Sequence, residues 1–121
     1  MKYLKIGVGT SFNISIPLPE AISTYDNVFA AIYTDQNRPV KFSYIEKDGF
    51  NKLNVDETGL QLTGLLTGAQ TANMKGCLFM EMRFVKTVDG IKDEGNSIST
   101  PVLDNLGQQI ELTDNALEGV L

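Results

Sequence analysis

The stretch from Leu60 to Val85, LQLTGLLTGAQTANMKGCLFMEMRFV, leaves the backbone few choices. Leu60 and Leu62 alternate with Gln61 and Thr63, and a period of two puts apolar side chains on one face of a strand and polar ones on the other. Thr67-Gly-Ala-Gln70 interrupts the alternation with a capping box, in which a hydroxyl and a glutamine three positions apart satisfy N–H groups at the start of a helical turn. Gly76 then supplies a stop. From Cys77 onward Leu78, Met80, Met82 and Phe84 point one way, and Cys77, Phe79, Glu81 and Arg83 the other, giving one dry and one wet face. The expected order is strand, single helical turn, strand.

The same period recurs on both sides of this stretch. Leu4, Ile6 and Val8 can share a short strand face; Phe12, Ile14, Ile16 and Leu18 alternate with Ser11, Asn13, Ser15 and Pro17. Pro17 and Pro19 have no N–H for a ladder, so that strand ends there or lies at an edge. Residues 20–26 read as a mostly polar connection. Asn27 to Thr34 carries apolar residues on both faces, which places it centrally in a sheet. After a turn at 35–39, Val40, Phe42 and Tyr44 form a half-buried strand; Lys47-Asp-Gly49 turns the chain, and Phe50 to Val55 is expected to pair back as one short strand. Ile98 to Leu103 is a last strand that Pro101 demotes towards an edge, and Ile110 and Leu112 repeat the pattern briefly.

Turn signals recur about every ten residues and only one helical turn is foreseen, which points to an all-β, antiparallel β-sandwich, with a small barrel as the alternative. A chain of 121 residues fits one domain, residues 1–121, with 104–121 as a C-terminal docking arm. Leu117, Val120 and Leu121 are the candidate partner-binding residues. Apolar side chains there need cover, either from the domain's own sheet or from a neighbouring subunit.

The chain contains no histidine, which removes the usual general base of serine and cysteine catalysis and the imidazole ligands of most catalytic zinc sites. No spacing places two carboxylates in a recognisable pair, so the chain is not expected to be an enzyme. Asp89, Asp93, Glu94 and Asn96 are oxygen ligands of the kind calcium prefers, but they lack calcium-loop spacing and read as a solvated hairpin loop. Gly7 and Gly9 are only a fragment of a phosphate-binding pattern. No metal or cofactor is implied. Ten scattered basic residues against fifteen acidic ones, net charge −5, argue against nucleic acid as a partner. No run has the length of a membrane span or the form of a signal peptide, so no membrane partner is expected. The single cysteine, Cys77, reads as a buried and unreactive thiol. Met74, Met80 and Met82 read as core filler, and Tyr25, Tyr33, Tyr44 and Phe50 as packing residues before they read as a binding platform.

The pattern LQLTGLLTGAQTANMKGCLFMEMRF resembles the closing portion of the immunoglobulin-like domain at the N-terminus of phage baseplate upper proteins. In that family a leucine-rich strand leads into a Leu-Thr…Gln-Thr turn, then Lys-Gly, then a long alternating strand. Here those elements are Leu62-Thr63 or Leu66-Thr67, Gln70-Thr71, Lys75-Gly76 and Cys77 to Val85. The Phe12 to Leu18 and Val28 to Tyr33 strands are compatible with the same domain. The resemblance implies an immunoglobulin-like sandwich in a phage or prophage virion protein of the tail or baseplate, assembled in the host cytoplasm, contacting other virion proteins and forming a homo-oligomer. It brings no catalytic residues and no cofactor. The family domain normally begins a longer chain with a fibre or receptor-binding region, whereas this chain stops at Leu121, so docking and assembly are expected in place of receptor binding. The alternative expectation is a carbohydrate- or peptide-binding module that uses loops at one end of the sandwich.

Overall fold

The computed structural model describes residues 3–34, 39–93, 98–103 and 106–113. Their strands in chain order are β1 (Tyr3–Gly7), β2 (Phe12–Pro17), β3 (Asn27–Tyr33), β4 (Val40–Ser43), β5 (Asn51–Lys52), β6 (Asn54–Val55), β7 (Gln61–Leu66), β8 (Gly76–Cys77), β9 (Phe79–Val88), β10 (Ile91–Asp93), β11 (Ile98–Pro101) and β12 (Gln109–Thr113). A helical turn, α1 (Gly68–Thr71), separates β7 from β8, and a short 3-10 turn (Ile22–Thr24) precedes β3. The fold is all-β. A six-stranded sheet runs β10-β9-β3-β4-β5 with β11 also on β9, and two three-stranded sheets run β2-β7-β6 and β1-β12-β8. One hydrophobic cluster joins all three, from Val28, Ile32 and Phe42 through Ile14, Ile16, Leu62 and Leu66 to Ile110 and Leu112. The sheets therefore pack as a sandwich around a single core.

The period-two reading holds where one face meets the core. Ile14 and Ile16 of β2 are buried and Asn13 and Ser15 exposed; β3, paired on both sides, buries Val28, Ala30 and Ile32. The pairings are antiparallel except for β1 with β12 and β4 with β5. Phe50 to Val55 does not pair back as one strand. Its first half joins β4 in parallel, Leu53 is wholly buried, and its second half joins β7 in a different sheet. Cys77 to Val85 is likewise not continuous: Cys77 pairs with Glu111 of β12, Leu78 is buried at a break, and β9 begins at Phe79. Alternation along a chain cannot report such a change of partner, because a period of two marks which face is wet and not which strand pairs with it. Residues 109–113 form the middle strand of their sheet, so that part of the 104–121 stretch belongs to the domain. Leu117, Val120 and Leu121 lie outside the described residues.

The capping box forms as expected. Gln70 N–H donates to Thr67 Oγ1 at 3.2 Å, and Thr67 N–H donates to Gln70 Oε1 at 3.0 Å. The turn is also clamped to the β1–β2 connection. The buried Thr71 hydroxyl accepts from Gly9 N–H at 3.1 Å and donates to the Thr10 carbonyl at 2.9 Å, while Gly68 N–H donates to Ser11 Oγ at 3.2 Å. A Cβ on Gly68 would lie 2.4 Å from the Gly9 carbonyl oxygen, so only glycine permits this approach.

Gly64 does comparable work inside the core. A Cβ there would stand 2.9 Å from Leu53 Cδ2 and 3.0 Å from Phe42 Cδ2, so its absence lets the Phe42 ring reach β7. Gly64→Ala is expected to cost about 1–3 kcal/mol, as core overpacking does. In a Phe42→Leu background the added cost should shrink by about 1 kcal/mol, read as coupling in a urea-denaturation double-mutant cycle. Thr71→Val should cost about 1–3 kcal/mol by leaving Gly9 N–H and the Thr10 carbonyl unpaired, whereas Thr71→Ser should retain most of the stability in the same measurement.

Candidate functional site

The odd-numbered residues of β3 and β9 face away from the core, and register sets them in rows across the six-stranded sheet. Ala31 stands between Glu81 of β9 and Lys41 of β4; Phe29 stands between Arg83 and Ser43. A methyl group flanked by two long side chains makes a depression. Glu81 and Lys41 are two strand spacings apart, about 10 Å at Cα. The loop after β4 closes one side, where the Phe50 ring meets Phe29 edge-on at 5.9 Å. The result is an open groove of about 350 Å³ lined chiefly by Phe29, Ala31, Lys41, Phe50, Glu81 and Arg83.

Two polar side chains, the buried Ser43 and the half-buried Asn27, hold the Phe50 loop at its root. Ser43 Oγ donates to the Ile45 carbonyl at 2.6 Å and accepts from Asn27 Nδ2 at 3.1 Å; Asn27 Oδ1 takes Ile45 N–H at 2.9 Å. Gly49, at φ +81°, completes the turn, and Phe50 N–H donates to the Lys47 carbonyl. This brings Lys41 Nζ to 5.6 Å and Lys47 Nζ to 5.7 Å from the centroid of the Phe50 ring, within cation–π range. Neither ammonium has a carboxylate partner among the described residues. Val85 is buried on this outer side, against the parity of the core-facing residues of β9, and helps to floor the groove. Chemically the groove suits an apolar body that carries an anionic group at the Phe50 end.

The four aromatics singled out in the sequence do not form one platform. Tyr25 packs on the core and on Phe84 at 5.3 Å; burial first, then the Glu20 charge, pushes its phenol above the usual value. Tyr33 stacks on Phe79 at 6.1 Å and shares a hydrogen bond with Ser99. Tyr44 packs against the core beneath Lys52, and of the four only Phe50 lines the groove. Met74 and Met80 are buried in the core, and Met82 packs beside it. Cys77 is half-buried, a correction to the buried thiol expected, because it alternates with Leu78, whose side chain takes the core position at the break after β8. Asp89 sits in a tight hairpin turn at φ +53° and Asp93 ends β10, while Glu94 and Asn96 lie outside the described residues. Among the described residues no three acidic or cysteine side chains converge on a point that could hold a metal ion, and no helix is long and apolar enough to cross a membrane.

No protein-family model matches the chain, and no curated protein matches it in sequence.

Sequence reading missed Phe29, Lys41 and Arg83. Each is unremarked along its own strand, and only the cross-strand register makes them neighbours. Since Phe50 is held by a surface loop and one aromatic partner, Phe50→Ala should cost about 0.5–1.5 kcal/mol. Phe42→Ala in the core should cost about 3–5 kcal/mol. Paired urea melts of the two variants check the contrast.

Proposed function

We propose that this chain is a phage or prophage virion structural protein, a tail or baseplate assembly module that acts through protein–protein contacts without catalysis. Its partners are other virion proteins and further copies of itself; Leu117, Val120 and Leu121 are partner-binding, and the protein resides in the virion after assembly in the host cytoplasm. The observation that carries the reading is the open groove on the outer sheet face, a surface that offers aromatic contact and charge but no acid–base pair. Support also comes from the edges. Among the described residues β1 pairs only with β12 and β2 only with β7, which leaves backbone groups free for strand addition. Exposed apolar side chains at the β9–β10 hairpin, Val88 and Ile91, add a second contact surface, with Ile91 73% exposed.

The residues behind the baseplate resemblance run in succession through three sheets, with β7 in one, β8 in the next and β9 in the third. Leu62 and Leu66 are core residues of β7, Gln70 and Thr71 end α1, and Gly76 opens β8 at φ +94°. What supports an immunoglobulin-like reading is the packing of the sheets as a sandwich around one core. A peptide- or carbohydrate-binding module is the second reading, favoured by the placement of Phe29 and Phe50 in the groove. Their edge-on packing leaves less flat ring for a sugar to stack on, so a peptide fits better.

Sedimentation velocity of the purified full chain over a hundredfold concentration range is expected to show self-association. Truncation after Thr113 should weaken it about tenfold or more, the equivalent of about 1.4 kcal/mol. A chain that stays monomeric throughout, and is absent from purified particles, would overturn the assembly reading.

A further inference from the structure

Lys41 and Lys47 each set an ammonium group against the Phe50 ring. Two ammonium groups converge on one phenyl ring, at 5.6 and 5.7 Å, and neither meets a carboxylate among the described residues. The ring attracts each cation through its quadrupole but supplies no formal negative charge. Beside them lies an apolar floor of Phe29, Ala31 and Val85, and Glu81 stands on the far side of Ala31. The groove thus has a polarity. It favours carboxylates at the Phe50 end, aliphatic groups over Ala31, and no second carboxylate near Glu81.

We propose that this groove receives residues 114–121 of a second copy of the chain, Asp-Asn-Ala-Leu-Glu-Gly-Val-Leu. The segment supplies what the groove lacks: the carboxylates of Asp114 and Glu118, the aliphatic side chains of Leu117, Val120 and Leu121, and no lysine or arginine. With a net charge of −5, two copies repel one another in general, and a contact that brings an acidic part of one against a basic spot on the other is favoured over the rest of the surface. The groove and this segment form such a pair. A second copy is the occupant because β12, the strand that leads into the segment, lies in a different sheet from the one carrying the groove, with the core between them. The inference rests on the assembly reading above and names the contact through which copies join.

Charge reversal tests it. In sedimentation velocity of the full chain at about 50 mM salt, where surface charges are weakly screened, Lys41→Glu with Lys47→Glu should weaken association about tenfold. Asp114→Lys with Glu118→Lys should do the same, and the four changes together should restore association to within about threefold of the unaltered chain. Both lysines are exposed, and circular dichroism melts should confirm that folding is unchanged. Ala31→Leu fills the groove without altering charge and should also weaken association. Association that is indifferent to Lys41→Glu with Lys47→Glu, or not restored by the combined exchange, would overturn the groove contact while leaving the assembly reading standing. Groove occupation that is independent of concentration, read as amide shift changes at Phe29 and Ala31 on truncation after Thr113, would show a copy filling its own groove and overturn the proposal. A chain that is monomeric at every concentration would take both down.

Discussion

Three buried aliphatic residues, Leu53, Leu78 and Val102, hold the sheets to one another, and the rest of the structure depends on them. At each the chain changes pairing partner, which in a water-free interior threatens to strand N–H and carbonyl groups. Here none of these amides is orphaned. Leu53 N–H donates to the Ser43 carbonyl at 2.9 Å and Val102 N–H to the Leu78 carbonyl at 3.1 Å, while the Val102 carbonyl accepts Ile110 N–H at 2.9 Å. Leu78 N–H reaches Ile110 at a longer 3.4 Å. The side chains enter one hydrophobic cluster as the backbones tie separate sheets together, so burial and hydrogen bonding are satisfied by the same residues.

This constraint also fixes the outer face. The break at Leu78 sets where β9 begins, and with it the register that opposes Ala31 to Glu81 and Phe29 to Arg83. A slip of one residue would turn Glu81 and Arg83 inward and Met80 and Met82 outward, at the cost of burying two charged groups. Phe42, drawn into the core over Gly64, holds β4 so that its neighbour Lys41 faces out beside Ala31. The groove is a consequence of core packing, although no groove side chain needs to be chosen for the core's sake.

The difference between what the sequence discloses and what it hides has a physical origin. Alternation in Phe12 to Leu18 and in Asn27 to Tyr33 records which face is wet, and the capping box at Thr67 and Gln70 records a local hydrogen-bond pattern; both are properties of a few adjacent residues, and both appear as read. Partner choice is not local. Phe50 to Val55 and Cys77 to Val85 pass from one sheet to another at Leu53 and Leu78, and no glycine or proline in either run marks the break. The parallel pairing of β1 with β12 joins residues more than a hundred positions apart, and no turn signal announces it. The groove escapes for the same reason, because Phe29, Lys41 and Glu81 come from three strands and meet only through register.

The charge distribution gives this hidden geometry its consequence. At an ionic strength of about 0.15 M the Debye length is about 8 Å, so the overall repulsion of two acidic copies is strongly damped beyond contact distance. A carboxylate seated against Lys41 acts at a separation shorter than that length and is damped less. Long-range charge therefore decides little at that ionic strength, while the short-range field at Phe50 discriminates among segments by the order of their acidic and aliphatic groups. Selectivity of that kind does not require a catalytic constellation. It requires that the sheet hold Lys41, Phe29 and Glu81 in fixed rows, which is what the buried switch at Leu78 provides.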